Sequence, residues 1–133
     1  MENDFDRAAP LYDDTFTLSE IGTSQRKRVY YWINKLDILS NIKSVFEINC
    51  GTGFDADYFQ NNGLKVTATD ASSEMITFAK SHRADTINFF QLNFKDLDSN
   101  WVESDLLFSN FGGLNCVNKI ELERIADQTI AHQ

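Results

Sequence analysis

Two glycines separated by one residue, Gly51-Thr52-Gly53, follow Cys50 at the end of a short strand-like run, residues 44–49. Glycines in that place let the backbone turn sharply and approach a ligand with no Cβ in the way. The helix that follows offers unpaired N–H groups to an anion or another electron-rich group. Asp70 stands 19 positions beyond Gly51, at the end of a second run, residues 64–69. A carboxylate at that spacing can accept hydrogen bonds from both hydroxyls of a ribose. Asn93 and Phe94 end a third run, residues 87–92, and supply an amide and a ring that could meet a base. Each feature alone has a plainer reading: a simple turn, a cap on the helix opened by Ala71-Ser72-Ser73, a loop amide. In this order, at three successive strand ends, they point to a nucleoside-containing ligand.

The elements that must position these residues follow from periodicity. Residues 1–23 are irregular and rich in Asp and Thr, with aromatics at Phe5, Tyr12 and Phe16. From Ser24 the pattern is helical: Val29, Trp32, Ile33 and Leu36 share one face. Thr23 or Ser24 is its expected N-cap and Ser40-Asn41 its end. Residues 44–49 predict a strand, 54–62 a helix closed by Gly63, and 64–69 a second strand ending on Asp70. Ser72 or Ser73 caps the next helix, which runs to about Arg83 with Met75, Ile76 and Ala79 inward. Residues 87–92 and 105–109 predict strands three and four. Asn118 with Glu121 forms a capping box for a last helix to about Ala131. Strands alternating with helices imply parallel pairing and right-handed crossovers. The fold class is therefore α/β, an open, doubly wound, mostly parallel sheet of about four strands. In such sheets the ligand sits beyond the carboxyl ends of the strands, where strand order reverses.

Composition narrows the function. The 133 residues suit one domain. Twelve Lys and Arg against 20 Asp and Glu give a net charge of −8, and the only basic run is Arg26-Lys27-Arg28. Nucleic acid and anionic membranes are not expected partners. No run reaches the roughly 18 apolar residues of a membrane span, and the acidic start Met1–Asp6 is unlike an export signal, so a cytoplasmic location is expected. Cys50 and Cys116 sit in apolar segments without a CxxC and are expected to be reduced and buried. His82 and His132 lack ligand spacing, so no metal is expected. No Ser-His-Asp set or carboxylate pair suggests hydrolysis.

Two cofactor classes use this plan. Residues 51–56 fit the loose dinucleotide fingerprint G-x-G-x-x-G/A. Against that reading stand the acidic Glu47 inside strand one, the separation of that strand from the first glycine by Asn49 and Cys50, and the whole helix, 24–37, that precedes it. Taken together the motifs resemble the class I S-adenosylmethionine-dependent methyltransferases, which are Rossmann-like. The matching segments are 45–56 (Val-Phe-Glu-Ile-Asn-Cys-Gly-Thr-Gly-Phe-Asp-Ala), 66–75 (Val-Thr-Ala-Thr-Asp-Ala-Ser-Ser-Glu-Met), 90–97 (Phe-Gln-Leu-Asn-Phe-Lys-Asp-Leu) and 104–114 (Ser-Asp-Leu-Leu-Phe-Ser-Asn-Phe-Gly-Gly-Leu). Residues 5–13 look like the lid segment of many such enzymes.

The resemblance implies S-adenosyl-L-methionine as cofactor and methyl transfer to a small-molecule acceptor, which the acidic balance makes neutral or cationic. It implies that Gly51 and Gly53 lie along the methionine part, with Glu47 organising the loop. Asp70 would bind the ribose hydroxyls, and Ala71 and Met75 would pack on the adenine. Asn93 and Phe94 would face the adenine edge, and Asn110 and Phe111 would close the pocket under the methionine. Tyr12 and Arg26 are candidates to contact the methionine from the N-terminal side, Arg26 being alternatively a solvated surface arginine. Asn49 and Asp55 stand where a glycine-like residue is frequent, and Asn93 where an Asp often accepts from the adenine amine. No catalytic residue is assigned. If the acceptor must lose a proton, Tyr12 and His82 are the candidates, His82 reading rather as a surface helix residue.

The family's usual sheet has seven strands, and four are expected here. One domain over 1–133 is expected, with 1–23 lid-like and 24–133 forming the core, truncated after the fourth strand and a helix. The expectation is a fragment of a longer enzyme, or else a homodimer paired through the open edge of strand four. The alternatives are a nucleotide-binding oxidoreductase domain and a non-catalytic half domain that binds cofactor or a partner chain.

Overall fold

The computed structural model describes residues 20–93 and 96–110. Helix α1 spans Glu20–Lys35, β1 Ser44–Ile48, α2 Phe54–Asn61, β2 Lys65–Asp70, α3 Ser73–His82, β3 Asn88–Gln91 and β4 Leu106–Phe108. Short 3-10 turns lie at Ile38–Asn41 and Asp98–Asn100. The four strands form one parallel sheet in the order β3-β2-β1-β4. Val45 of β1 pairs with Val66 of β2 on one side and Leu106 of β4 on the other. Strand order reverses at β1, between β2 and β4.

Handedness explains the layering. Moving from β1 to β2 to β3 with right-handed crossovers keeps α2 and α3 on one face. The return from β3 to β4 runs the other way and must cross the opposite face. The side chains agree. Ala56 and Phe59 of α2, Ile76 and Ala79 of α3, and Ile33 of α1 form one core with Val45, Val66, Ala68 and Phe89. Phe46 and Ile48, which alternate with Val45 along β1, form a second core with Leu97, flanked by Leu92, Trp101 and Val102. Phe46 meets Trp101 edge-on at 5.6 Å. A strand covered on both faces should be apolar throughout rather than alternating, and β1 is buried from Val45 to Ile48.

The strands and α2 fall within a residue or two of the sequence reading. Ser72 caps α3 by accepting from the Met75 N–H at 3.2 Å, and Met75, Ile76 and Ala79 point inward. Helix α1 departs from expectation. It includes Glu20, so Thr23 and Ser24 are interior rather than caps, and it stops at Lys35 because Asp37 takes a left-handed conformation at φ 53°. The supposed lid segment therefore gives its last residues to a helix. The buried face is also rotated: Gly22, Arg26 and Ile33 are buried, whereas Trp32 and Leu36 are exposed. The apolar periodicity was outweighed by a distant ion pair described below. Tyr12, Phe94, Phe111, Cys116, His132, the rest of the 5–13 segment and the Asn118 capping box lie outside the described residues.

Candidate functional site

The turn after β1 carries three left-handed residues in five: Asn49 at φ 59°, Gly51 at 56° and Gly53 at 82°. Asparagine is one of the few side chains that tolerate this region, because its short amide bonds locally. That explains how Asn49 replaces a glycine-like residue. Its Nδ2 donates to the Ser109 hydroxyl at 3.3 Å, tying the turn to the end of β4. At Gly51 an added Cβ would meet nothing within 4 Å. At Gly53 it would lie 2.8 Å from the Phe89 ring and 3.2 Å from Arg83 Cγ. One glycine thus opens space above the turn, and the other permits tight packing beneath it.

Asp70 closes the gap between the ends of β1 and β2. Its Oδ2 accepts from the Gly51 N–H and its Oδ1 from the Ser72 N–H, both at 2.9 Å. The helix cap is Ser72, so Asp70 is not needed for capping. A carboxylate held by backbone N–H groups at a strand end is of the type that accepts from ligand hydroxyls. The Ala71 carbonyl accepts from Gln91 Nε2 at 2.9 Å. Met75 is fully buried beneath the start of α3, and Asn93 is exposed past β3. A shallow depression between the ends of β1, β2 and β3 is lined by Ile48, Asn49, Thr69, Leu92, Asn93 and Leu97.

A second constellation sits beside the turn. Arg26, only 7% exposed, is buried rather than solvated. Its Nε and Nη2 donate to the two carboxylate oxygens of Asp55 at 3.0 and 3.4 Å. The Tyr30 hydroxyl donates to the same carboxylate, and Asn110 Nδ2 donates to it at 3.1 Å. Burial and the adjoining Asp55 push the Tyr30 phenol well up. Arg26 also lies 4.9 Å from the centroid of the Phe54 ring. Sequence reasoning noted Asp55 only as a departure from a motif. Two charged residues on faces that turn out to be buried were the available signal. Arg83 was missed as well: its Nε donates to the Thr52 carbonyl at 2.9 Å and its Nη2 to the Thr52 hydroxyl at 3.3 Å.

Glu47 is 1% exposed and its Oε2 has no hydrogen-bond partner. Desolvation, then the nearby Asp55, push its carboxyl well above the usual range, against the pull of Arg26. The fold therefore holds a proton that the unfolded chain releases above about pH 4.3. Native protein then binds more protons than unfolded protein, and Glu47 costs stability progressively as pH rises. Thermal melts of wild type and Glu47→Gln between about pH 5 and pH 8 check this. The variant's melting temperature is expected to gain on the wild type steadily with pH. A difference that stays constant would show Glu47 ionised in the fold.

Cys50 is a free, buried thiol pushed up by desolvation and is no nucleophile. His82 is exposed on α3. Its Nδ1 lies 2.9 Å from the Phe78 carbonyl and its ring stacks on Phe78 at 3.8 Å. No described hydrogen bond joins it to the glycine turn or Asp70. No group of three metal-ligating side chains occurs among the described residues.

No curated protein sequence matches the chain. Among solved structures, the chain superposes on DhpI in its complex with SAH, at a TM-score of 0.70 and 27% identity, over 96% of this chain and 59% of DhpI. It shares the fold of CalS10, an amino pentose methyltransferase from Micromonospora echinaspora bound to SAM, at TM-score 0.66 and 17% identity, over 88% of this chain and 52% of that one. It also shares the fold of the plantazolicin methyltransferase BpumL, at TM-score 0.65 and 22% identity, over 95% of this chain and 48% of that one. The chain thus spans less than two thirds of each of these proteins. A family model described as a methyltransferase domain matches residues 45–132, beginning at β1 and taking in the glycine turn and Asp70. The chain belongs to this methyltransferase domain family.

Proposed function

We propose that the protein is an S-adenosylmethionine-dependent methyltransferase and that this chain carries its cofactor site. The observation that carries the reading is the Asp70 carboxylate, fixed by the Gly51 and Ser72 N–H groups at the end of β2, next to the open space over Gly51. These residues fit the cofactor. Asp70 would take the ribose hydroxyls, and Gly51 and Gly53 would border the methionine part, with Glu47 and Asn49 beneath them. Ala71, Asn93 and Phe94 would border the adenine, with the buried Met75 packed behind them. Asn110, Phe111, Arg26 and Tyr12 would close on the methionine end. The bound cofactor supplies a methyl group on a sulfonium, transferred by in-line displacement. The chain's own work in that reaction is alignment and exclusion of water. DhpI, at 27% identity, is a structure with SAH.

The acceptor is read as a small molecule, neutral or cationic, on the net charge of −8. Transfer to nucleic acid fits that charge poorly. No helix of the described residues is long and apolar enough to cross a membrane, and a cytoplasmic location accords with the free Cys50. Pairing of two copies along β4 belongs to the same reading, since β4 pairs only with β1 among the described strands.

Gly51→Ala separates binding from folding. The added methyl meets no neighbour, so the variant pays only left-handed strain, about 1–2 kcal/mol. It should melt as a folded protein yet lose S-adenosylhomocysteine binding roughly tenfold or more, because the methyl fills the space the ligand needs. Unchanged affinity in a calorimetric titration would place the ligand elsewhere.

A further inference from the structure

Asp55 receives more donors than an ion pair requires. Its carboxylate is 3% exposed and accepts from Arg26 Nε and Nη2, the Tyr30 hydroxyl and Asn110 Nδ2. These donors come from α1 and from the second residue past β4, while Asp55 itself sits in the first turn of α2. Three chain segments thus meet on one carboxylate at the point where strand order reverses. Arg26 is held from two directions, by Asp55 along the guanidinium edge and by the Phe54 ring at 4.9 Å. Tyr30 is braced in turn, stacked on Tyr58 of α2 at 3.7 Å and 7° between planes. Arg26 and Asn110 are both assigned above to the methionine end of the cofactor. Neither is fixed in one rotamer by its own chemistry, since the long arginine stem and the asparagine amide both turn about single bonds.

We propose that Asp55 is a positioning residue, whose carboxylate sets the Arg26 and Asn110 side chains to receive the amino-acid end of S-adenosylmethionine. The inference rests on the function proposed above. Every side chain hydrogen-bonded to Asp55 donates to it, so an amide there would turn an NH2 toward other donors. Replacement by Asn therefore disorders the partners while conserving volume, and Glu restores the charge at a displaced position.

The test compares two ligands that differ only at the end in question. S-adenosylhomocysteine carries the amino-acid group, and 5′-methylthioadenosine lacks it. In titrations of the full chain, Asp55→Asn should weaken S-adenosylhomocysteine by about tenfold and leave methylthioadenosine within about twofold. Asp55→Glu should recover part of the loss. Tyr30→Phe, which removes one donor and keeps the Tyr58 stack, should weaken S-adenosylhomocysteine selectively by about two- to threefold. It carries the test if Asp55→Asn does not fold. Equal weakening of both ligands, or of neither, would overturn the role of Asp55. A folded wild type that binds neither ligand would instead overturn the cofactor assignment beneath it.

Discussion

Replacing Gly53 by alanine is expected to destabilise the fold by about 2–5 kcal/mol. Left-handed backbone at φ 82° costs an L-residue roughly 1–2 kcal/mol. The new Cβ would also stand 2.8 Å from Phe89 Cζ and 2.9 Å from its Cε1. Phe89 is 5% exposed and sits in the core between α2 and α3, so its ring cannot swing aside into solvent. Overpacking of this kind costs about 1–3 kcal/mol. Gly63 supplies the comparison. It has a similar φ of 84° and nothing within 4 Å of an added Cβ, so Gly63→Ala should show the strain alone. Denaturant unfolding of both variants isolates the Phe89 contact as their difference. Equal losses would mean that the ring yields. Adding Phe89→Leu to Gly53→Ala should return part of the lost stability.

The second large effect concerns Asp70. Asp70→Ala should weaken S-adenosylhomocysteine binding by about 1–3 kcal/mol, since bonds to an ionised acceptor are worth more than neutral ones. That is roughly a five- to 150-fold rise in Kd. The change also leaves the Gly51 and Ser72 N–H groups without the acceptor that holds them at 2.9 Å, so the glycine turn loosens as the ribose contacts go. Loss of one negative charge is a separate effect, controlled by removing the exposed Asp85. Asp85→Ala should leave affinity unchanged. An Asp70→Ala chain that binds as tightly as wild type would show that the carboxylate serves the turn alone.

What the sequence made legible was local. The β-branched run Lys65–Asp70 and the inward set Met75, Ile76 and Ala79 depend on neighbours two to four positions away. The glycine turn and the aspartate after the next strand are likewise read from short segments, and their meeting follows once the strands are taken as parallel and adjacent. The structure brings Gly51 and Asp70 into a hydrogen bond across β1 and β2. Helix α1 was misread for the opposite reason. Trp32 and Leu36 satisfied the apolar spacing, yet the face that turns inward carries Arg26. Its partner Asp55 lies 29 positions away, and no window over α1 contains it. The grip of Arg83 on Thr52, 31 positions apart, was hidden in the same way. Charged residues whose burial depends on a distant partner are where periodicity fails, and here they lie beside the site.

An S-adenosylmethionine site at the ends of β1, β2 and β3 must also bind the demethylated cofactor, S-adenosylhomocysteine. The most direct measurement is calorimetric titration of the wild-type chain, first shown to melt cooperatively, with S-adenosylhomocysteine and in parallel with NADH. Saturable uptake of S-adenosylhomocysteine and no response to NADH is the expected result. A folded chain that binds NADH in its place, or leaves S-adenosylhomocysteine unbound, would contradict it.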